Sequence, residues 1–129
     1  MNRFQQNPIL EPIGTHAWES RLVFNAAAFA SNNRVHLLYR AIGDDNVSRI
    51  GLAASSDGYH IDERLPLPVF APSNDSEKEG VEDPRLTLFG DTLFMAYTAF
   101  GMDSQHRVYQ VGLTSINLND FLSRRWKWG

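Results

Sequence analysis

The sequence contains no cysteine in its 129 residues, which excludes disulfide bonds and thiolate metal sites. Positive charge is also scarce: 12 Lys and Arg stand against 15 Asp and Glu, without the basic footprint of a nucleic-acid-binding protein. No stretch approaches the roughly 20 apolar residues of a membrane-spanning helix, and the N-terminal segment MNRFQQNPILEPIG lacks the apolar core of a signal peptide. These absences predict a cytoplasmic protein with neither a nucleic-acid nor a membrane partner.

Signatures of metal and nucleophile chemistry are missing as well. The four histidines lack the spacing of metal ligands, so no metal site is predicted. The sequence has no G-x-S-x-G nucleophile elbow and no phosphate-cradling glycine loop. Its three tryptophans, Trp18, Trp126 and Trp128, leave two interpretations open, because such rings either stack on sugars or fill gaps between packed sheets.

What the chain does have is period-two alternation of apolar side chains. Residues 34–41 (RVHLLYRA) and 92–100 (TLFMAYTAF) alternate between two faces and lie between Gly, Asn and Asp turn signals. RIGLAASSDG and VYQVGLTS are interpreted as further strands, whereas only NLNDFLSRR, near the end, is compatible with a turn of helix. An all-β fold is therefore predicted.

The strands also suggest an internal repeat. Shifting the chain by 58 residues places Asn25 on Asp83, Tyr39 on Tyr97 and Ala41 on Ala99. After a three-residue insertion, GLAAS at 51–55 falls on GLTSI at 112–116. A repeat of about 60 residues made of short antiparallel strands is typical of a β-propeller blade.

The predicted organisation is one partial β-propeller domain over residues 1–129. It comprises a first blade at about 20–65, a linker at 65–80 and a second blade at about 81–129. Two blades cannot close a ring, since propellers typically have about 4–8 blades. We therefore expect further C-terminal blades or a homo-oligomer, and expect the isolated chain to be oligomeric or poorly soluble.

The segment GVEDPRL (80–86) interrupts an apolar strand with three charges and a proline. Pro84 cannot donate to a sheet, which indicates a strand entrance or an edge. In an extended segment Asp83 and Arg85 project to the same side and Glu82 to the other, so Arg85 is placed to orient the Asp83 carboxylate. The alternative is a solvated ion pair at the start of a strand.

Other polar residues fall where a common site could form. Asn25 occupies the position of Asp83 in the first repeat, within the apolar run LVFNAAAF, and needs a backbone or ligand partner. Arg40 ends an alternating strand, and the loop after it carries Asp45 and Arg49. Either these groups converge on a polyhydroxylated ligand or they form a solvated, charged turn.

Taken together, the motifs resemble glycoside hydrolase family 130, the β-mannoside phosphorylases and related β-mannosidases. The motifs that carry the resemblance are FN, LLYRA, SRIGLA-S-DG and GVEDPR, in the family's order and spacing. The matching stretches are NPILEP (7–12), WESRLVFNAAAF (18–29), VHLLYRAIGDDNVSRIGLAASSDG (35–58), EKEGVEDPRLTLFGDTLFMAYTAF (77–100) and NLNDF.

The resemblance implies a five-bladed β-propeller, of which this chain matches about the first two blades. It also implies that Asp83 is the single catalytic acid, and that Asn25 and Arg40 hold the mannosyl ring. Asp45, Arg49 and Arg85 follow as substrate-binding residues by position. The implied reaction is inverting phosphorolysis of a β-mannoside or manno-oligosaccharide to mannose 1-phosphate, with inorganic phosphate as co-substrate and no cofactor.

Two other functions stay open at this point. A hydrolase of the same family would use water in place of phosphate, and an inverting hydrolase normally needs a base about 6.5–9.5 Å from the acid, which is not obvious in this sequence. A non-catalytic sugar-binding or assembly module is the third interpretation, because the family's phosphate-binding groups lie in later blades. Whether the 129-residue chain acts as an enzyme by itself is left open.

Overall fold

A computed structural model describes residues 2–129, which form seven strands and one short helix. The elements are β1 (Leu22–Ser31), β2 (Arg34–Ile42), β3 (Ser48–Ser55), β4 (Glu63–Arg64), β5 (Gly80–Phe89), β6 (Thr92–Asp103), β7 (His106–Asn117) and α1 (Leu118–Leu122). The predicted all-β fold is confirmed. The helix follows Asn117, whose side chain accepts a hydrogen bond from the Asn119 N–H and caps the first turn.

The strands form two antiparallel units. In the first unit β1, β2, β3 and β4 pair in chain order, and in the second unit β5, β6 and β7 do the same. The units meet at one parallel pair, Ser48 in β3 with Gly80 in β5. A Cβ on Gly80 would lie 2.9 Å from the Cβ of Ser48, so this close approach requires glycine.

The strand register repeats between the units. Equivalent pairs are Val23–Ala41 with Val81–Ala99, and Phe24–Arg40 with Glu82–Thr98. Tyr39 pairs with Gly51, and Tyr97 pairs with Gly112. In each pair the tyrosine ring covers the glycine, because an added Cβ would lie 2.4 Å from the Tyr39 ring or 2.3 Å from the Tyr97 ring. The internal repeat inferred from the sequence is thus a repeat of strand pairing and of packing.

The main core lies between the two units. One face of the first unit packs on the opposite face of the second unit, and the helix closes one end. The buried residues of this core are Leu38, Ile50, Leu52, Val69, Val81, Leu93, Met95, Ile116 and Phe121. Burying this apolar surface is the main stabilising contribution that holds the units together.

The second unit has an apolar face without a partner in the described residues. Tyr109, Val111 and Leu113 on β7 are 66%, 88% and 70% exposed. The equivalent residues of the first unit, with the three-residue insertion counted, are Ser48, Ile50 and Leu52, all buried against the second unit. The β7 face is therefore equivalent to a packed face of the first unit, but it is exposed to solvent.

The tryptophans serve packing. Trp18 stacks on Tyr39 and donates to the Pro66 carbonyl, while Trp128 donates to the Val69 carbonyl. Trp126 packs edge-on against Phe121. These contacts favour the gap-filling interpretation over sugar stacking.

Within residues 2–129, none of the helices is long and apolar enough to cross a membrane.

Candidate functional site

Two β-bulges at equivalent positions of the repeat build the candidate site. The pairing of β1 with β2 shifts between Phe24 and Ala27, and the pairing of β5 with β6 shifts between Glu82 and Arg85. Asn25 and Asp83 lie in these bulges at φ values of 48° and 51°. Asn and Asp tolerate this left-handed conformation better than other non-glycine residues, so the local backbone favours the types present.

The bulges bring Asn25 and Asp83 into contact. The Nδ2 of Asn25 donates to the Oδ1 of Asp83 at 2.9 Å, across a separation of 58 residues. The polar amide in the apolar run of β1 thus has a side-chain partner, which the sequence could assign only to the backbone or to a ligand. The internal repeat accounts for the meeting, because it places the two residues at the same point of adjacent units.

Arg40 connects this pair to a second carboxylate. Its Nη1 donates to Asp83 Oδ1 at 3.2 Å, and its Nη2 donates to Glu82 Oε1 at 2.6 Å. The guanidinium lies 4.7 Å above the centre of the Phe24 ring, on the neighbouring strand. Arg40 is therefore held by two carboxylates and an aromatic face at the seam between the units.

Sequence reasoning placed Glu82 on the side away from Asp83 and did not connect Ser48 with Glu82. Glu82 is only 8% exposed, and its Oε1 accepts from Ser48 Oγ at 2.9 Å in addition to Arg40. The Oγ of Ser48 accepts from Arg40 Nε at 3.0 Å, which closes the network. Simple alternation placed Glu82 on the side opposite Asp83, and the bulge overturns this, since both carboxylates bond to Arg40. The signal available in the sequence was that Glu82 directly follows the apolar Val81 and precedes Asp83.

Asp83 borders an open cleft of about 400 Å³. The cleft is lined by Asn25, Ala26, Ala27, Asp83, Pro84 and Arg85. The Asp83 side chain is 39% exposed, and its Oδ2 accepts no hydrogen bond from residues 2–129. One oxygen of the carboxyl group is thus anchored while the other is free to exchange a proton with a ligand.

A second groove of about 530 Å³ adjoins the cleft. It runs between the N-terminal segment 7–10 and the β1–β2 face, and it shares Asn25 and Ala26 with the cleft. Val23, Leu37 and Tyr39 give this groove a largely apolar wall.

Arg85 does not take the orienting role expected for it. It is exposed and lines the cleft beside Asp83, but forms no hydrogen bond or ion pair with residues 2–129. Arg40 orients Asp83 instead, because the bulge turns the backbone between Glu82 and Arg85. The exposed guanidinium of Arg85 remains available to a ligand in the cleft.

Asp45 and Arg49 form a separate pair. Arg49 donates to both oxygens of Asp45, at 3.1 and 2.7 Å. The hydrogen bond from Arg49 holds the pKa of Asp45 below its usual value. Neither side chain bonds to Asp83 in the part of the chain that the structure describes. Of the predicted site residues, the structure therefore brings together Asn25, Arg40, Asp83 and Arg85.

Nothing in the described residues resembles a metal site, because they contain no group of three or more His, Asp or Glu side chains able to hold an ion.

Comparison with known proteins gives consistent matches. The family described as beta-1,4-mannooligosaccharide phosphorylase, glycoside hydrolase family 130, matches residues 1–112. A beta-1,2-mannobiose phosphorylase from Thermoanaerobacter sp. (strain X514) is 40% identical over an alignment of 114 residues, and the match covers 78% of this chain and 37% of the relative. A 1,2-beta-oligomannan phosphorylase from the same organism is 38% identical over 129 residues, covering 94% of this chain and 43% of the relative.

A solved structure agrees with these matches. It comes from work describing the family's mannoside phosphorylases and its hydrolases that target beta-1,2 mannosidic linkages in Candida mannan. It superposes with a TM-score of 0.83 and 29% identity over 98% of this chain and 39% of that chain. The chain thus spans about two fifths of the length of these relatives. It belongs to glycoside hydrolase family 130, and its strands form about the first two blades of that family's five-bladed β-propeller.

Proposed function

We propose that this chain supplies the proton donor and part of the sugar-binding surface of a β-mannoside phosphorylase. The observation that carries the proposal is the anchored, half-exposed carboxyl group of Asp83 at the cleft, in a chain whose relatives are mannobiose and oligomannan phosphorylases. The family resemblance assigns the catalytic acid to this residue, and its environment suits that role.

The reaction needs one protein carboxyl group. Protonated Asp83 gives its proton to the 3-hydroxyl of the mannosyl unit, whose own proton passes to the glycosidic oxygen. Phosphate attacks the anomeric carbon from the opposite face, the C1–O bond breaks, and its electron pair stays on the leaving oxygen. The products are mannose 1-phosphate with inverted configuration and the shortened saccharide. Phosphate is already an anion, so it needs positioning rather than deprotonation.

The sugar-binding assignment follows the cleft. Asn25, Arg40 and Arg85 surround Asp83 and offer amide and guanidinium donors to ring hydroxyls. Asp45 and Arg49 remain predicted sugar contacts. To contact the sugar, they either break the ion pair between them or bind the sugar with the pair intact. Both curated relatives are named for β-1,2-linked substrates, so β-1,2-mannobiose is the first substrate to test.

The test is phosphate-dependent release of mannose 1-phosphate from β-1,2-mannobiose, with β-1,4-mannobiose as a comparison. We expect Asp83→Asn to lower the rate by about 10²–10⁴-fold, because general acids contribute that much to catalysis. Asp103→Asn is the matched control, since this exposed residue does not line the cleft, and its rate should equal that of the unmodified chain. An Asp83→Asn protein with undiminished turnover would remove the proposal.

Two observations keep other functions in view. A relative in this family is described among hydrolases of β-1,2 mannosidic linkages, and turnover in water without phosphate, abolished by Asp83→Asn, would favour that activity. The chain spans only 37–43% of its curated relatives, so saccharide binding without turnover in either buffer would favour a sugar-binding module.

We also infer a cytoplasmic location and assembly with further blades or copies. The absence of cysteine from the sequence supports the first, and the open apolar face on β7 supports the second. Fractionation of producing cells tests the location, and recovery of the protein outside the cytoplasm would contradict it.

A further inference from the structure

Glu82 is a buried carboxylate next to the proposed acid, and the reaction as described above does not use it. Arg40 lies nearer to Glu82 than to Asp83, at 2.6 Å against 3.2 Å. Ser48 bonds to both Arg40 and Glu82 and fixes their geometry. Arg40 thus makes its shorter hydrogen bond to Glu82 and its longer one to Asp83.

The repeat indicates that strand pairing within a unit does not require these charges. The equivalents of Glu82, Arg40 and Ser48 in the other unit are Phe24, Thr98 and Tyr109, none of which carries a charge. Strand pairing within a unit therefore forms with or without these charges, which meet at the junction between the two units. The network of Arg40, Glu82 and Ser48 contacts the exposed carboxyl group of Asp83. We therefore relate the network to the function of that carboxyl group.

A proton donor has to hold its proton until the substrate is bound. An arginine at hydrogen-bond distance opposes this, since an opposite charge favours the ionised carboxylate. Arg40 contributes one positive charge, and Glu82 contributes one negative charge that offsets it. With Glu82 ionised, protonating Asp83 takes the three groups from a net negative charge to neutrality. Without Glu82, the same proton would leave a net positive charge in a half-buried site.

We propose that Glu82 is a positioning residue, whose carboxylate takes up the charge of Arg40 so that Asp83 can keep the proton it donates. The proposal rests on the function proposed above. Arg40 then holds Asp83 in place by a hydrogen bond, together with Asn25, without forcing it to ionise.

Among the other groups near Asp83, Arg85 carries a charge. Asn25 on β1 and Ser48 on β3 are uncharged, and Arg85 on β5 is the further cation at the cleft. Tyr97 on β6 lines an adjoining groove with Asp83 and stays neutral, because burial raises the pKa of its hydroxyl above the ordinary value. Arg85 and Tyr97 are common to all the variants below, so differences between those variants report on Arg40 and Glu82.

The test is a carboxyl titration of the 129-residue chain by NMR, with aspartate labelled at its side-chain carbon and the Asp83 signal assigned by its loss in Asp83→Asn. Glu82→Gln removes the offsetting charge, and we expect the Asp83 midpoint to move to lower pH by about 1 unit. Arg40→Gln should move it to higher pH by a similar amount. The double variant Arg40→Gln/Glu82→Gln should return it towards that of the unmodified chain, because both charges are gone.

Glu79→Gln is the matched control. It removes one negative charge just before the same strand, from a residue paired with Arg107 rather than with the site, and should leave the Asp83 midpoint unchanged. The double variant leaves no buried charge unpaired, so it keeps the comparison available where Glu82→Gln alone does not fold. In that case the double variant is compared with the unmodified chain and with Arg40→Gln.

A midpoint that is unchanged or higher in Glu82→Gln would overturn the proposal, as would a double variant that titrates like Arg40→Gln. A purely structural role for Glu82 would lower thermal stability without moving the titration of Asp83. The titration needs no substrate, so it stands apart from the test of phosphorolysis. Where phosphorolysis is measurable, the alkaline limb of its pH profile should move to lower pH with Glu82→Gln.

Discussion

At the scale of single residues, the backbone conformation of two positions controls the site. Asn25 and Asp83 both lie in the left-handed region, inside strands whose neighbours are extended. This conformation interrupts the alternation of side chains, and it lets Asp83 and Glu82 contact the same arginine. A residue type that resists positive φ would therefore disturb the site through its backbone as well as through its lost side chain.

Replacing Asn25 by glycine or by alanine separates these two effects. Both variants lose the hydrogen bond to Asp83, but only alanine is strained at φ 48°, so we expect Asn25→Ala to be less stable than Asn25→Gly by about 1 kcal/mol. Urea unfolding measures the difference. At Ala28, an ordinary strand position of β1, the order should reverse, because Ala28→Gly loses about 0.5–1 kcal/mol. Equal stability of the two Asn25 variants would show that the bulge is not strained.

At the scale of elements, the loop before each unit is tied to the unit's second strand. The hydroxyl of Tyr39 on β2 donates to the buried carboxylate of Glu19 at 2.9 Å, and Tyr97 on β6 donates to Glu77. Burial raises the pKa of both tyrosines, which remain neutral donors. Each glutamate lies 58 residues from its counterpart, so the repeat extends into loops that have no strand pattern.

The two loop contacts differ in how many hydrogen bonds the tyrosine hydroxyl makes. The Tyr39 hydroxyl donates to Glu19 and accepts from Arg64 Nε at 3.1 Å, whereas the Tyr97 hydroxyl bonds to Glu77 alone among the described residues. We expect Tyr97→Phe to cost about 1–3 kcal/mol of unfolding free energy, because it leaves a carboxylate oxygen unpaired, and Tyr39→Phe to cost more, because it breaks two hydrogen bonds at a fully buried position.

Thermal and urea unfolding measure both losses. Tyr59→Phe, at an exposed ring, is the control and should change stability by less than about 0.5 kcal/mol. A larger loss for Tyr97→Phe than for Tyr39→Phe would contradict this prediction.

At the scale of the whole molecule, the open face of the second unit is the main unsatisfied surface. Its β7 residues are equivalent to first-unit residues that form the core, yet they face solvent. Exposed apolar surface of this kind favours association. The partner of this face remains a prediction: further blades, or, for the isolated chain, a second copy of itself.

We expect the isolated chain to self-associate in sedimentation velocity at micromolar concentration. Val111→Lys, at the centre of the face and 88% exposed, should increase the monomer fraction. Leu67→Lys makes the same chemical change at a residue that is 70% exposed and lies on a loop outside the face, so it should leave association unchanged. An unmodified chain that sediments as a single monomer with a cooperative melt would contradict the prediction.

Much of the fold could be predicted because its signals are local. Alternation in RVHLLYRA and TLFMAYTAF reflects the period of a strand, and both segments became central strands of their units. The repeat placed Asn25 and Asp83 at equivalent positions, and the structure joins them by a hydrogen bond. The blade limits and the roles of the site residues stay predictions.

The sequence by itself determined the all-β class, the strands, the repeat and the family, since these depend on side-chain periodicity and on contiguous motifs. Only the tertiary structure decided which arginine reaches Asp83, and that Glu82 and Ser48 share it. That choice depends on two bulges that break the alternation, and on the packing of units whose contacting residues, Arg40 and Glu82, are 42 positions apart. Neither the bulges nor this packing can be read from the spacing of GVEDPRL. That spacing predicts Arg85, the arginine nearer in sequence, as the partner of Asp83.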